Sequence, residues 1–202
     1  ALSSAASDVY KRQQYVSWIY DWPNYTLFCK EVYNKCNRIF LFERNGIELL
    51  SRYNIGNIQY SSLAVDTDRL DKQLGKDVIN TKYDYDVSFV GNMNTNLNNI
   101  LMSDEIPSYY EGYINGLAQV QQKIYGYNVV NEIVDKEWVR GYLRASCADM
   151  DNIVIPHECV LAAQINKYIT GLERTNLLNA IADKYNFCLL YTSPSPRDPK
   201  TS

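Results

Sequence analysis

The sequence predicts an α/β fold: a parallel sheet in the first half, a second α/β unit opening near Tyr85, and a mainly helical C-terminal half. Three observations predict it. Apolar, β-branched and aromatic runs alternate with short helical stretches as far as Leu63, which is the pattern of βαβ units. The run Tyr85–Val90 passes straight into a glycine turn, Gly91-Asn92-Met93-Asn94. From Pro107 to Tyr185, apolar residues recur at helical spacing nearly throughout.

Tyr15 to Tyr20 is rich in β-branched and aromatic residues and stops at Asp21-Trp22-Pro23-Asn24, so it reads as a buried strand followed by a turn. Thr26 to Asn34 reads as a short helix. Arg38 to Glu43 is a second, near-continuous apolar strand, as expected where helices cover both faces of a parallel sheet. Ile47 to Tyr53 makes a short helix, stopped at Asn54-Ile55-Gly56-Asn57, and Ile58 to Leu63 is a third strand. Asp66 to Lys82 is polar, carries no long apolar period and reads as a linker. After the strand Tyr85–Val90, helical spacing links Tyr110, Ile114, Leu117 and Val120, and then Leu161, Ile165, Tyr168 and Ile169. Glu173 to Tyr185 reads as an amphipathic helix with Leu177, Leu178 and Ile181 on one stripe, and a strand is expected after it.

Composition sets the bounds. A chain of 202 residues fits one or two domains, and 46% hydrophobic with 21% charged residues is a globular composition. A chain of this length buries roughly 70% of its unfolded surface. No segment approaches the roughly 18 consecutive apolar residues of a membrane span. An acidic balance, with pI near 5.2, argues against a nucleic-acid-binding surface. Cys29, Cys36, Cys147 and Cys159 show no C-x-x-C pair, and only His157 could join them at a metal. They read as free thiols, which fits a reducing cytoplasm. His157 lies two residues before Cys159, a spacing that does not by itself bring the two side chains together as a nucleophilic pair.

The two ends resemble translated sequencing adapters of the transposon-insertion type. Asp8-Val9-Tyr10-Lys11-Arg12-Gln13 can be written GAT GTG TAT AAG AGA CAG, and Cys188-Leu189-Leu190-Tyr191-Thr192-Ser193 can be written TGT CTC TTA TAC ACA TCT. Apart from one base at each edge, each string is the reverse complement of the other. Residues 1–13 and 188–202 are therefore expected to be adapter-derived, leaving 14–187 as an internal fragment of a longer reading frame. Four basic and two acidic side chains leave with the ends, so the net charge goes from −3 to −5.

Several segments together resemble a known family. They are Trp18-Ile19-Tyr20-Asp21-x-Pro23, Tyr33-Asn34-x-Cys36-Asn37-x-Ile39-Phe40-Leu41-Phe42, Leu63 to Leu70, Tyr85 to Gly91, and the run Tyr109 to Tyr127. In order and spacing they are similar to the N-terminal, uncharacterised domain of the CgeB-like (spore maturation protein) glycosyltransferase family. The resemblance spans 14–187 and rests on the ordered set rather than on one motif. It implies a fragment of a GT-B arrangement, two Rossmann-like units. Residues 14–65 would end the first unit, 66–84 would be a linker, and 85–187 would open the second around a helical insertion. It also implies a parent enzyme that takes a nucleotide-sugar donor and an unknown acceptor, needs no resident cofactor or metal, and works in the cytoplasm. The fragment itself is expected to be inactive. The alternative is a non-catalytic spore-envelope or surface-assembly module of the same fold.

Glycosyl transfer needs base or electrostatic help at the acceptor and anion stabilisation for the leaving diphosphate. Gly91, Asn92 and Asn94 follow a strand end, where α/β folds bind ligands and free N–H groups can meet a phosphate. The competing reading is an ordinary strand-to-helix turn. No basic residue occurs between Val90 and Ser103, where such enzymes often place one. Asp21, past the first strand, is the candidate to orient or deprotonate an acceptor, against an Asx-type turn with Pro23. Asp66 and Asp68 invite a metal reading, against linker capping. Tyr109, Tyr110, Tyr113, Tyr125, Tyr127 and Tyr142, among eighteen tyrosines, could stack on sugars, against half-buried packing with the hydroxyl at the rim.

Overall fold

The computed structural model describes residues 13–74, 83–93, 96, 101, 105–146 and 149–191. The chain divides into two units. One is drawn from Ala1–Asp66 and Asn131–Ala163, the other from Thr67–Val130 and Gln164–Ser202. The described architecture is mixed α/β with small parallel sheets.

The first unit carries a three-stranded parallel sheet of β1 (Tyr15–Ile19), β2 (Asn37–Leu41) and β3 (Ile58–Tyr60), in that order. Register runs from Tyr15 opposite Asn37 to Ile19 opposite Leu41, then from Ile39 opposite Ile58 to Leu41 opposite Tyr60. Between β1 and β2 stand two 3₁₀ turns, Tyr25–Phe28 and Lys30–Tyr33, instead of the single helix expected over Thr26–Asn34. Asn24 explains the start: its side-chain oxygen accepts from the Thr26 amide at 3.1 Å and caps the first turn. Helix α1 (Arg44–Ser51) links β2 to β3 and starts three residues before the expected Ile47, because the Glu43 carboxylate accepts from the Asn45 amide. It ends where Asn54 takes a left-handed φ of 58°.

The sheet is covered on one face only by the described residues. Ile39, Leu41 and Ile58 are buried, while Val16, Trp18, Arg38 and Gln59, on the opposite face by register, are exposed. The apolar run through β2 does not, therefore, mark a strand buried on both sides. Asn37 is its buried polar residue, and its Nδ2 donates to the Glu31 carbonyl at 2.9 Å. Asn57 donates likewise to the Val32 carbonyl at 2.8 Å, so an amide side chain reaches each of these two carbonyls of the second 3₁₀ turn, that of Glu31 in addition to the Asn34 amide.

The same unit is completed by α4 (Val129–Ile133, of which Asn131–Ile133 belong here), α5 (Lys136–Ser146) and the segment 149–156. Asp135 caps α5, accepting from the Glu137 and Trp138 amides. A short antiparallel bridge of Cys29 with Ile153 ties the segment to the 3₁₀ turns. The Lys30 amide donates to the Asn152 carbonyl, and the Val154 amide to the Phe28 carbonyl.

The second unit contains α2 (Thr67–Leu74), β4 (Val87–Gly91), α3 (Ser108–Gln121) and β5 (Phe187–Tyr191). Helix α6 (His157–Ala182) supplies the residues from Gln164 onward. Within Asp66–Lys82, the stretch expected as a linker, helix α2 occupies Thr67–Leu74, with an acidic first turn at Asp68 and a basic last turn at Lys72, charges that favour a helix without an apolar period. The amphipathic helix expected from Glu173 is the end of α6; Leu178 is buried but Leu177 is exposed, so the expected stripe is narrower. Residues Ile114, Leu117, Ala118, Ile165, Tyr168 and Ile169 are among this unit's buried residues. Gln121 organises the loop after α3. Its Nε2 donates to the carbonyls of Ile124 and Tyr127, and its Oε1 accepts from the Val129 amide at 2.7 Å. Gly126 there has φ +80°, which only glycine adopts without cost.

Strands β4 and β5 pair in parallel from Val87 opposite Phe187 to Gly91 opposite Tyr191. Four of the five β5 residues fall within 188–202, the stretch expected from the sequence to be adapter-derived. Backbone hydrogen bonds do not depend on side-chain identity, and an apolar, aromatic run such as Phe187-Cys188-Leu189-Leu190-Tyr191 is enough to meet an open edge.

Candidate functional site

Strand β4 ends at Gly91, and Asn92 and Met93 follow it outside the strand. The Arg174 guanidinium, on α6, donates through Nη1 to the Asn92 carbonyl. The same guanidinium lies 5.7 Å from the Phe89 ring centroid. Two contacts thus hold it over the end of β4. An arginine has five N–H donors and one goes to the carbonyl, so most of the fork remains for a ligand. This supplies the basic side chain that the stretch Val90 to Ser103 lacks. A scan along the loop misses it because it comes from a helix 82 residues further along the chain.

Gly91 has a packing role that is visible only in three dimensions. A Cβ at this position would stand 2.8 Å from the Phe89 ring, so the glycine lets that ring fold over the strand end. Asn92 is exposed and engaged by Arg174 through its backbone. Asn94 lies outside the described residues.

In the first unit, Asp21 follows β1 and is exposed, and it makes no hydrogen bond or ion pair with the described residues. The expected Asx-type turn belongs to Asn24 instead, whose Oδ1 accepts from both the amide and the hydroxyl of Thr26. Next to Asp21, Trp22 is fixed against Phe28, ring edge to ring face with centroids 5.7 Å apart, and against Gly46 of α1. At the end of β3, Tyr60 carries the Arg44 guanidinium 4.0 Å above its ring centroid. The carboxyl edge of this sheet therefore presents a free carboxylate, a fixed indole and a cation on a tyrosine face.

The tyrosines separate. Tyr125 is 86% exposed, Tyr109 and Tyr127 are also exposed, and Tyr109 and Tyr113 stand with ring centroids 6.3 Å apart. Tyr142 is buried and stacked on Trp138, so it is a core residue and not part of a sugar-facing surface. Tyr168 is buried too, and its hydroxyl donates to Asn115 Oδ1 at 2.8 Å. Burial, reinforced by Glu111, raises its pKa.

Cys29, Cys36 and Cys159 are free thiols, and Cys147 lies outside the described residues. Burial first and the Glu158 carboxylate second push the Cys159 thiol up, which favours the protonated form and opposes a nucleophilic pair with His157. No group of three or more His, Cys, Asp or Glu side chains suited to a metal occurs among the described residues. Asp68 sits in the first turn of α2, where a carboxylate complements the helix dipole. No described helix is long and apolar enough to cross a membrane. Comparison with protein-family models, with curated proteins and with solved structures found no match to this chain.

Proposed function

We propose that the chain is part of a glycosyltransferase of the CgeB-like, GT-B kind, in which the end of β4 meets the diphosphate of a nucleotide-sugar donor. The observation that carries the reading is Arg174 anchored on the Asn92 carbonyl. A leaving nucleoside diphosphate gains negative charge as the glycosidic bond breaks, and a prepositioned guanidinium stabilises that charge with little reorganisation. Gly91 keeps the strand end free of a side chain. At the other sheet, the exposed carboxylate of Asp21 is the group offered to an acceptor hydroxyl.

Calorimetric titration of the full chain with UDP, GDP and ADP tests the reading. At least one is expected to bind, with affinity falling tenfold or more in Arg174→Ala. Absence of binding, or binding indifferent to Arg174, would favour the non-catalytic module of the same fold.

A further inference from the structure

A second place for a ligand lies wholly within the first unit. Lys136 and Arg140 are four residues apart on α5 and share one face with Val139 and Leu143. Facing them, the segment Val154–Pro156 runs into the first turn of α6, and Tyr53 reaches the same space from the end of α1. Between these walls is an open cavity of about 580 Å³, within the range of roughly 300–1,000 Å³ usual for organic ligands.

Its charges are unbalanced. Lys136 and Arg140 make no hydrogen bond or ion pair with the described residues, although the chain as a whole carries −3. Glu158 is the one carboxylate in the lining, so two positive charges stand against one negative. The start of α6 acts in the same direction. The Cys159 and Val160 amides close on the Pro156 carbonyl, which leaves those of His157 and Glu158 as donors at the positive end of a 26-residue helix. Beside Tyr53 and His157, the rest of the lining is apolar: Val139, Leu143, Val154, Ile155 and Pro156. A bare inorganic ion would leave that surface uncovered, and a neutral apolar molecule would leave the two cations without a counter-charge.

We propose that this cavity binds a small organic anion, with a phosphate or carboxylate head between Lys136 and Arg140 and an apolar or aromatic body against Val139 and Leu143. The site is independent of the donor reading at β4. Phenyl phosphate, with inorganic phosphate and phenol as its two halves and benzoate as the carboxylate counterpart, is titrated into the full chain by NMR or calorimetry. Phenyl phosphate or benzoate is expected to bind at least tenfold more tightly than inorganic phosphate or phenol. The double variant Lys136→Gln/Arg140→Gln changes only exposed side chains and should lower that affinity tenfold or more. Leu143→Trp, which fills the apolar side, should do so as well, while Arg174→Ala should leave it unchanged. The proposal is overturned if neither organic anion binds at millimolar concentration, if inorganic phosphate binds as well as phenyl phosphate, or if the double variant binds as the parent does.

Discussion

The Arg174 guanidinium and the Asn92 carbonyl, far apart in sequence, are joined by a hydrogen bond at the end of β4. The bond is solvent-exposed, so its contribution to stability is small, about 1 kcal/mol or less. Its importance is positional. Arg174→Ala should shift the melting temperature little yet weaken nucleoside-diphosphate binding tenfold or more. Arg174→Lys keeps the charge but loses the planar fork, and should fall between the two. Calorimetry beside thermal melts separates the effects, and equal losses in both measurements would assign Arg174 a purely structural role.

Gly91→Ala is expected to destabilise the second unit, because the new methyl would stand 2.8 Å from the Phe89 ring carbon at the tip and 2.9 Å from its neighbour. Relief requires a shift of the ring or of the strand end. Overpacking of this kind costs about 1–3 kcal/mol. Phe89→Leu removes the opposing ring, so the double variant should recover part of the loss in urea titrations. If Gly91→Ala melts as the parent does, the ring is not held as described.

Much of the sheet is legible in the sequence because β-branched and aromatic runs bounded by Asp, Asn, Pro and Gly mark β1 to β4 locally. What is not legible depends on partners distant in the chain. Asn37, within an apolar run, is chosen by the carbonyls of the turn before it. Helix α2 follows from charge placement rather than apolar period. The loop after α3 is fixed by one glutamine, Gln121, that no local pattern singles out. Of the candidate site, Gly91 and Asn92 are found at a strand end as expected, and Asp21 as an exposed carboxylate after β1. Arg174 escapes notice because nothing in its own stretch of α6 points to β4.

Gly46→Ala tests the surroundings of Asp21. The added Cβ would lie 2.9 Å from Trp22 Cζ2, and the indole is also held by Phe28. Alanine gains about 1 kcal/mol in helix propensity over glycine, which works against the clash. The net expectation is a loss of about 1–2 kcal/mol together with a change in Trp22 fluorescence. A stabilised variant with unchanged emission would show that the indole does not rest on Gly46.

Alkaline conditions should destabilise the first unit. Burial raises the pKa of both Cys29 and Cys159, with Glu31 and Glu158 adding to the respective shifts. A raised folded pKa means that the native state holds its proton where the unfolded chain has already released it. Stability is then full below the unfolded thiol value, about 8.5, and falls as pH rises from there through the folded values. Melts between pH 7 and 10.5 should show this decline, and Cys159→Ala should make it shallower. A flat profile would contradict the burial of these thiols.

Asn186 and Asp86 form a clasp at the start of β4 and β5. The Asp86 amide donates to the Asn186 carbonyl at 2.9 Å, the Asn186 amide donates to Asp86 Oδ2 at 2.9 Å, and Asn186 Nδ2 donates to the Asp84 carbonyl at 2.8 Å. Among the described residues β4 has β5 as its one partner strand, and a two-stranded sheet depends heavily on each such bond. Asp86→Ala removes the carboxylate acceptor and Asn186→Ala the side-chain donor, each worth about 1 kcal/mol. By hydrogen exchange, the protected amides of β4 should open about fivefold faster in either variant, while those of α3 remain as in the parent. If β4 exchanges freely in the parent chain, β5 does not pair with it in solution. If its protection ignores both substitutions, the five paired positions from Val87 to Gly91 hold the strand without the clasp.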